Sequence, residues 1–263
     1  MRIFIISMDD PIQTNNFIKG IIDARKDDII GLAISTKGRL TLSKGQSKWV
    51  YLFSLLLIMG PFAYFRSAFR TIAYKLRKKA AGMGLVEDPS LGYWAEKQGV
   101  SVSQVASPNS EEFRAWLTEQ RPDIVISQCQ HILKRDLIDI PSIGVLNRHN
   151  ALLPKNRGRL TPFWVLYRRE KATGVSIHFV NEGIDAGEII VQKRIEVDDR
   201  ETFDSLVRKN YEVALPAMLE TLDRLENGQS EFMPNDDDEA SYNSTPRFHH
   251  AWEYRWNRIM GRR

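Results

Sequence analysis

Residues 2–34 restrict the fold more than any other part of the chain. Arg2 to Ser7 is an apolar, β-prone run, Ile12 to Ala24 places its apolar residues at helical spacing, and Ile29 to Ile34 is a second β-prone run. Strand, helix and strand at this spacing open a parallel sheet, because two parallel neighbours need a crossover between them. The joining loop Met8-Asp9-Asp10-Pro11 has no glycine and carries two carboxylates. A phosphate cradle needs converging backbone N–H groups and little negative charge, so this loop is not expected to bind a ribonucleotide phosphate.

The pattern then continues. Strands are expected at Val100 to Val105, Ile124 to Ser127, Ile143 to Asn147, Val175 to Val180 and Ile189 to Val197. Helices are expected at Leu91 to Gln98, at Ser107 to Glu119 with Ser107 or Asn109 as cap, from Ile132 to Leu137, and at Pro162 to Glu170. A last one spans Glu201 to Glu226, bent or divided by Pro216. The expected class is α/β: a Rossmann-like, mostly parallel sheet flanked by helices, with an antiparallel edge where Ile189 to Val197 faces 175–180.

Trp49 to Phe65 is almost continuously apolar, with Lys44 and Lys48 before it and Arg66 and Arg70 after it. It is shorter than the roughly 20 residues a membrane span needs, and Gly60-Pro61 interrupts it. Beyond the break Phe62, Phe65, Phe69, Ile72, Ala73 and Leu76 recur at helical spacing among basic residues. Two readings stand for 49–79. One is a helix lying on a membrane surface. The other is a helical hairpin packed on the protein or across a homodimer interface, the commoner arrangement in soluble proteins.

The formal charge is +4, and the single cysteine, Cys129, excludes a disulfide framework and a Cys-rich metal site. That cysteine usage suits a reducing, cytoplasmic setting. Asp9, Asp10 and Pro11 cut the N-terminal apolar run too short for a signal peptide. His249 and His250 are adjacent, with no supporting acid or cysteine cluster, so no metal site is expected.

Chemistry concentrates between Val145 and Gly187. On a strand Asn147 and His149 point the same way and Arg148 points away. An amide and an imidazole at a strand end suit acyl chemistry, the amide holding a carbonyl oxygen and the imidazole hydrogen-bonding it or shuttling a proton. Asp185, in a Gly-flanked turn after the next strand, supplies a carboxylate to orient the imidazole or take a proton. No serine or cysteine nucleophile is needed for direct attack by a substrate. Taken singly, His149 reads as a loop histidine, Asp185 as a turn former and His178 as a satisfied sheet histidine.

The order Asn147, His149, Leu152, Leu153, Pro154, Arg157, Gly158, then Glu182, Gly183, Asp185 and Gly187 resembles the folate-dependent formyltransferases. That group includes the methionyl-tRNA, glycinamide ribonucleotide and sugar N-formyltransferases. The resemblance implies 10-formyltetrahydrofolate as formyl donor and Asn147, His149 and Asp185 as catalytic residues. It also implies that Val180, Asn181, Glu182, Gly183 and Ile184 hold the pterin by backbone groups, with Gln130, His131, Ile132 and Leu133 as a second segment. Arg148 stands where the family is usually apolar, with a partner acid or an exposed edge expected for it. Asn150 replaces a small residue or proline.

The expected organisation is a catalytic domain over 1–227, with a helical, hydrophobic insertion at 38–84, and a tail over 228–263. The tail ends in Trp252, Tyr254, Arg255, Trp256, Arg258, Arg262 and Arg263. Packing on the body is expected for it, against a second reading as a basic and aromatic nucleotide or RNA patch. Its shortness argues against a tRNA acceptor, and the loop at Met8 against glycinamide ribonucleotide. The expected acceptor is a small-molecule amine, an amino-deoxy sugar linked to a nucleotide or lipid. A tRNA-type enzyme on another amine, a folate-binding membrane-peripheral scaffold without catalysis, and hydrolysis of the donor are the alternatives.

Overall fold

The computed structural model describes residues 1–36 and 47–261. Lys44, the start of the expected insertion, Arg262 and Arg263 lie outside the described residues. A seven-stranded sheet in the order β3-β2-β1-β4-β5-β7-β8 forms the centre. It is built from β1 (Ile3–Met8), β2 (Ile29–Ser35), β3 (Val102–Val105), β4 (Ile124–Gln128), β5 (Gly144–His149), β7 (Ala172–Phe179) and β8 (Ile189–Glu196). The first five run parallel, while β7 is antiparallel to both β5 and β8. The chain steps outward from β1 to β3 and then returns to the other side of β1, which leaves a crevice at the carboxyl ends of β1 and β4.

Alternating residues of the strands feed two cores. Ile3, Ile5, Leu32, Ile124 and Ile126 pack with α1 (Thr14–Ala24), α4 (Leu91–Lys97) and α8 (Phe203–Glu226). Phe4, Ile6, Val125 and Val145 face the other way, onto α5 (Glu111–Gln120) and α6 (Arg135–Ile138). α8 is one helix with Pro216 inside it, not two. Proline removes a single N–H, and the rest of a long helix packed over β7 and β8 compensates for that. The cap of α5 is Ser110, whose Oγ accepts from Phe113 N, with Glu111 and Glu112 in the first turn. Asn109 is used elsewhere: it donates to Ile132 O at 2.8 Å and accepts from Lys134 N at 2.9 Å, fixing the segment after β4. The helix expected from Ile132 therefore starts only at Arg135.

The hydrophobic insertion forms α2 (Lys48–Met59) and α3 (Pro61–Gly82), separated at Gly60, whose φ is 81°. Ser47 caps α2, and Pro61 opens α3 where a missing N–H is harmless. No described helix is long and apolar enough to cross a membrane. The segment after α8 returns to the body. β9 (Tyr242–Asn243) pairs with β6 (Arg157–Gly158), and α9 (Phe248–Ile259) packs on α2. Phe163 and Trp164 of α7 (Thr161–Arg168) are buried with Ile58, Ala251 and Tyr254, joining α7 to α2 and α9.

Candidate active site

Two cavities open at the carboxyl end of the parallel strands and share Cys129, Gln130, Asn147, Gly158 and Leu160. One, of about 510 Å³, is walled by Gln130, His131, Ile132 and Leu133 and by Val180, Asn181, Gly183 and Ile184. Glu182 does not line it, and its carboxylate points to Arg135 at 3.8 Å. The other, of about 480 Å³, lies over the crevice between β1 and β4, with Met8, Thr14, Gln128, Arg148, His149 and Tyr211 on its walls.

Asn147, His149 and Asp185 meet where the cavities join. Asn147 Nδ2 lies 3.5 Å from Asp185 Oδ1, and His149 Nδ1 lies 3.4 Å from Asp185 Oδ2. Asp185 Oδ2 also accepts from Gly158 N at 2.8 Å. His149 Nε2 is 2.7 Å from the carbonyl of Asn156. A carbonyl only accepts, so Nε2 carries a proton, and Nδ1 faces the Asp185 carboxylate. Of the two roles expected for His149, bonding a substrate oxygen or shuttling a proton, the geometry favours the second: Nε2–H is committed to backbone, and Nδ1 beside Asp185 is the ring atom left for a proton.

His178 belongs to this cluster as well. Its Nδ1–H donates to Phe179 O at 2.7 Å, so Nε2 accepts from Asn147 Nδ2 at 3.3 Å. Burial, only partly offset by Asp185, lowers its pKa to about 4, which keeps it neutral near pH 7. The sequence predicts a satisfied sheet histidine. The ring is satisfied, yet it also holds one hydrogen of the amide beside it.

The amide of Asn147 is oriented from behind. Gln128 Nε2 donates to Asn147 Oδ1 at 3.1 Å and to Ser127 O at 2.7 Å. Arg148 Nε in turn donates to Gln128 Oε1 at 3.1 Å. Arg148 is buried, and its side-chain bonds among the described residues go to the neutral Gln128, Asn150 and Tyr211. It stacks on Tyr211, 4.2 Å from the ring centre, with Phe17 at 5.2 Å, and donates to Tyr211 Oη and to Asn150 Oδ1. The expected acid or exposed edge is replaced by an aromatic clamp.

Arg157 and Gly158 fasten the loop that carries Asp185. Arg157 is fully buried and donates to Asp237, Tyr242 Oη and Asn235, all from the segment after α8. Asn235 Nδ2 donates to the carbonyls of Asp185 and Gly187 at 2.9 and 2.8 Å. A side chain on Gly158 would sit 2.2 Å from Asn243 O, at a φ of 97°. The tail over 228–263 is thus bonded into the site, and Thr245 lines the larger cavity with Tyr51 of α2. Arg157 and Gly158 stand in the motif, but Asn235, Asp237, Tyr242 and Thr245 left no local signal in the sequence.

The loop after β1 carries the acids that argued against a phosphate. Asp9 accepts from Tyr74 Oη at 2.5 Å, Lys78 Nζ at 2.8 Å, Asn15 Nδ2 at 3.0 Å and Leu91 N at 3.2 Å. Burial pushes its carboxyl up, but these donors outweigh burial and hold it below the ordinary range. The loop anchors α3 and α4. Burial pushes the Cys129 thiol up, which disfavours the thiolate form of the one thiol in the cleft. Among the described residues no group of three or more His, Cys, Asp and Glu is placed to hold a metal ion.

A sequence model of the family described as formyl transferase matches residues 73–222, more than half of the chain. The chain belongs to the formyl transferase family. It is similar to the methionyl-tRNA formyltransferase of Thermotoga maritima, 37% identical over 149 residues that cover 56% of this chain and 48% of that one. The Kosmotoga olearia enzyme of the same name is 32% identical over 167 residues, 63% of this chain and 53% of that one. The chain thus spans about half the length of these curated relatives. Among solved structures, glycinamide ribonucleotide transformylase 1 from Symbiobacterium toebii superposes with a TM-score of 0.59 at 18% identity, over 90% of this chain and 94% of that one. The N-formyltransferase of Helicobacter canadensis, solved with folinic acid and dTDP-3-aminofucose, also gives 0.59 at 18% identity, over 93% and 71%. At that identity the likeness establishes a shared fold.

Proposed function

We propose that this chain moves a formyl group from 10-formyltetrahydrofolate to the amine of a small acceptor, an amino-deoxy sugar linked to a nucleotide or a lipid. One observation carries the reading: Asn147 stands at the junction of two cavities, with Asp185 on one and His149 on the other. Donor and acceptor enter from opposite sides and meet at the amide.

The larger cavity suits a pterin. Leu133, Val180 and Ile184 offer apolar wall, and residues 130–133 with Asn181 and Gly183 border it. His131 lines it, and its buried Nε2 has no partner among the described residues. A polar heterocycle would satisfy that atom. The donor supplies the formyl carbon, and the chain does the rest. A neutral amine attacks that carbon directly. Charge gathering on the formyl oxygen is held by the Asn147 N–H that now makes only the 3.5 Å contact with Asp185. Asp185 takes the proton lost by the amine nitrogen, His149 Nδ1, 3.4 Å away, shares it, and that proton passes to the donor nitrogen as its bond to the formyl carbon breaks and tetrahydrofolate leaves. No acyl-enzyme is needed.

A cavity of about 480 Å³ on the acceptor side fits a small molecule, and that supports a sugar. A methionyl-tRNA acceptor is the second reading, favoured by the 32–37% identity to the two methionyl-tRNA formyltransferases. A panel of amines decides, with release of tetrahydrofolate as the readout. The panel holds amino-sugar nucleotides, lipid-linked amino sugars, glycinamide ribonucleotide and methionyl-tRNA. Turnover with an amino sugar is expected. Turnover with methionyl-tRNA alone, or formate release with no acceptor, contradicts the proposal.

A further inference from the structure

The α3 helix wears its apolar side outward. Phe62, Phe65, Phe69, Ile72 and Leu76 are between 57 and 78% exposed, and no residue of α3 is buried. At 3.6 residues per turn these five fall within an arc of roughly 80°. The opposite side is tied down, since Tyr74 and Lys78 donate to Asp9. The outward stripe is therefore set by bonds on the inner side. Charge is arranged around it. Helical spacing puts Arg66, Arg70 and Arg77 along one edge of the stripe and Lys75 and Lys79 along the other. The 22 residues of α3 include no Asp or Glu. α2 and α9 also carry exposed aromatic residues, with Phe53 stacked on Phe248 at 5.9 Å and Trp252 on Trp256 at 6.4 Å.

We propose that α3, with the exposed aromatic residues of α2 and α9, seats this protein on the surface of an anionic lipid bilayer. Aromatic and aliphatic side chains enter the headgroup boundary, and flanking arginines and lysines reach back to lipid phosphates. A second copy of the chain fits the face less well. Arg66 is paired with Asp204, but pairing two such helices would still set Arg70, Arg77, Lys75 and Lys79 against their copies with no acid on α3 to neutralise them. The attachment is peripheral, because no described helix is long and apolar enough to cross. α2 also lends Tyr51 to the wall of the larger cavity, so the lipid-facing element and the cleft are structurally joined. The proposal does not rest on the formyl-transfer reading.

The test is flotation of the full chain with two vesicle preparations, phosphatidylcholine alone and phosphatidylcholine mixed with phosphatidylglycerol. Flotation with the anionic vesicles only is expected, weakening as salt shortens the Debye length. The variant Phe62→Ser/Phe65→Ser/Phe69→Ser should lower vesicle partitioning tenfold or more, with an unchanged melting temperature because these side chains are exposed. Arg70→Gln/Lys75→Gln/Lys79→Gln should remove the preference for anionic lipid. Absence of flotation with anionic vesicles, or flotation of the phenylalanine variant equal to the parent, overturns the proposal. So does a concentration-dependent dimer that the phenylalanine variant loses while the parent ignores vesicles, which would assign the face to a second copy.

Discussion

At the scale of single residues, the site is a chain of orientation leading to one amide. Arg148 sets Gln128, Gln128 sets Asn147, and Asn147 then has its N–H groups toward His178 and Asp185. Replacing Gln128 by Leu leaves Asn147 Oδ1 and Arg148 Nε unpartnered and lets the amide turn over. Turnover should fall by about tenfold, with a stability loss of about 1–3 kcal/mol. Steady-state kinetics and thermal melts check this, and turnover equal to the parent would show that the amide needs no such support. His178 gives a pH prediction. Its ordinary value is 6.5 and burial takes it to about 4, so between those limits the unfolded chain binds a proton that the folded chain refuses. The stability associated with His178 is therefore present above about pH 6.5 and is lost as pH falls toward 4. The loss is on the order of 3 kcal/mol. Melts of the parent and of His178→Asn across this range should differ in slope, the variant being the flatter.

Much of this residue-level account was readable beforehand, and the unreadable part has a common cause. Asn147, His149 and Asp185 stand in a motif order that carries its own signal. Gln128 and His178 sit inside ordinary strand sequence, and only strand pairing shows what they face. Asn147 lies opposite His178 in the β5–β7 register and beside Ser127 in the β4–β5 register. Arg148 was misjudged because sequence shows a charge and suggests an acid, whereas Tyr211 and Phe17 come from two distant helices.

Among elements, the short β6–β9 pair carries the most consequence for its size. It closes the loop of Asp185 through Arg157, Gly158 and Asn235. Removing a buried arginine with several acceptors strands those acceptors. Arg157→Met should cost about 2–4 kcal/mol and weaken donor binding, read by a denaturant melt and by folate-analogue titration. Gly158→Ala should be worse than an ordinary glycine change, because the new carbon meets Asn243 O at 2.2 Å. The break between α2 and α3 at Gly60-Pro61 was legible, since those two residues are strong punctuation. The cap at Ser110 and the late start of α6 were not, because Asn109 spends its side chain on a neighbouring loop.

For the whole molecule, the tail and the insertion are the parts that local pattern described least. Periodicity finds helical character in 49–79 but not its placement, which for α3 depends on Asp9, 65 and 69 residues before Tyr74 and Lys78. The tail starts as polar sequence, yet its Thr245 lines the larger cavity, β9 pairs with β6 and α9 packs on α2. The claim on which the account depends most is that Asn147 and Asp185 act together on a formyl carbonyl. Single-turnover transfer to the best amine of the panel, measured for Asn147→Ala and Asp185→Asn beside folate-analogue binding, tests it most directly. A fall of about 10² or more in rate, with donor binding retained, is the predicted result. Transfer within a few fold of the parent in either variant would contradict the account.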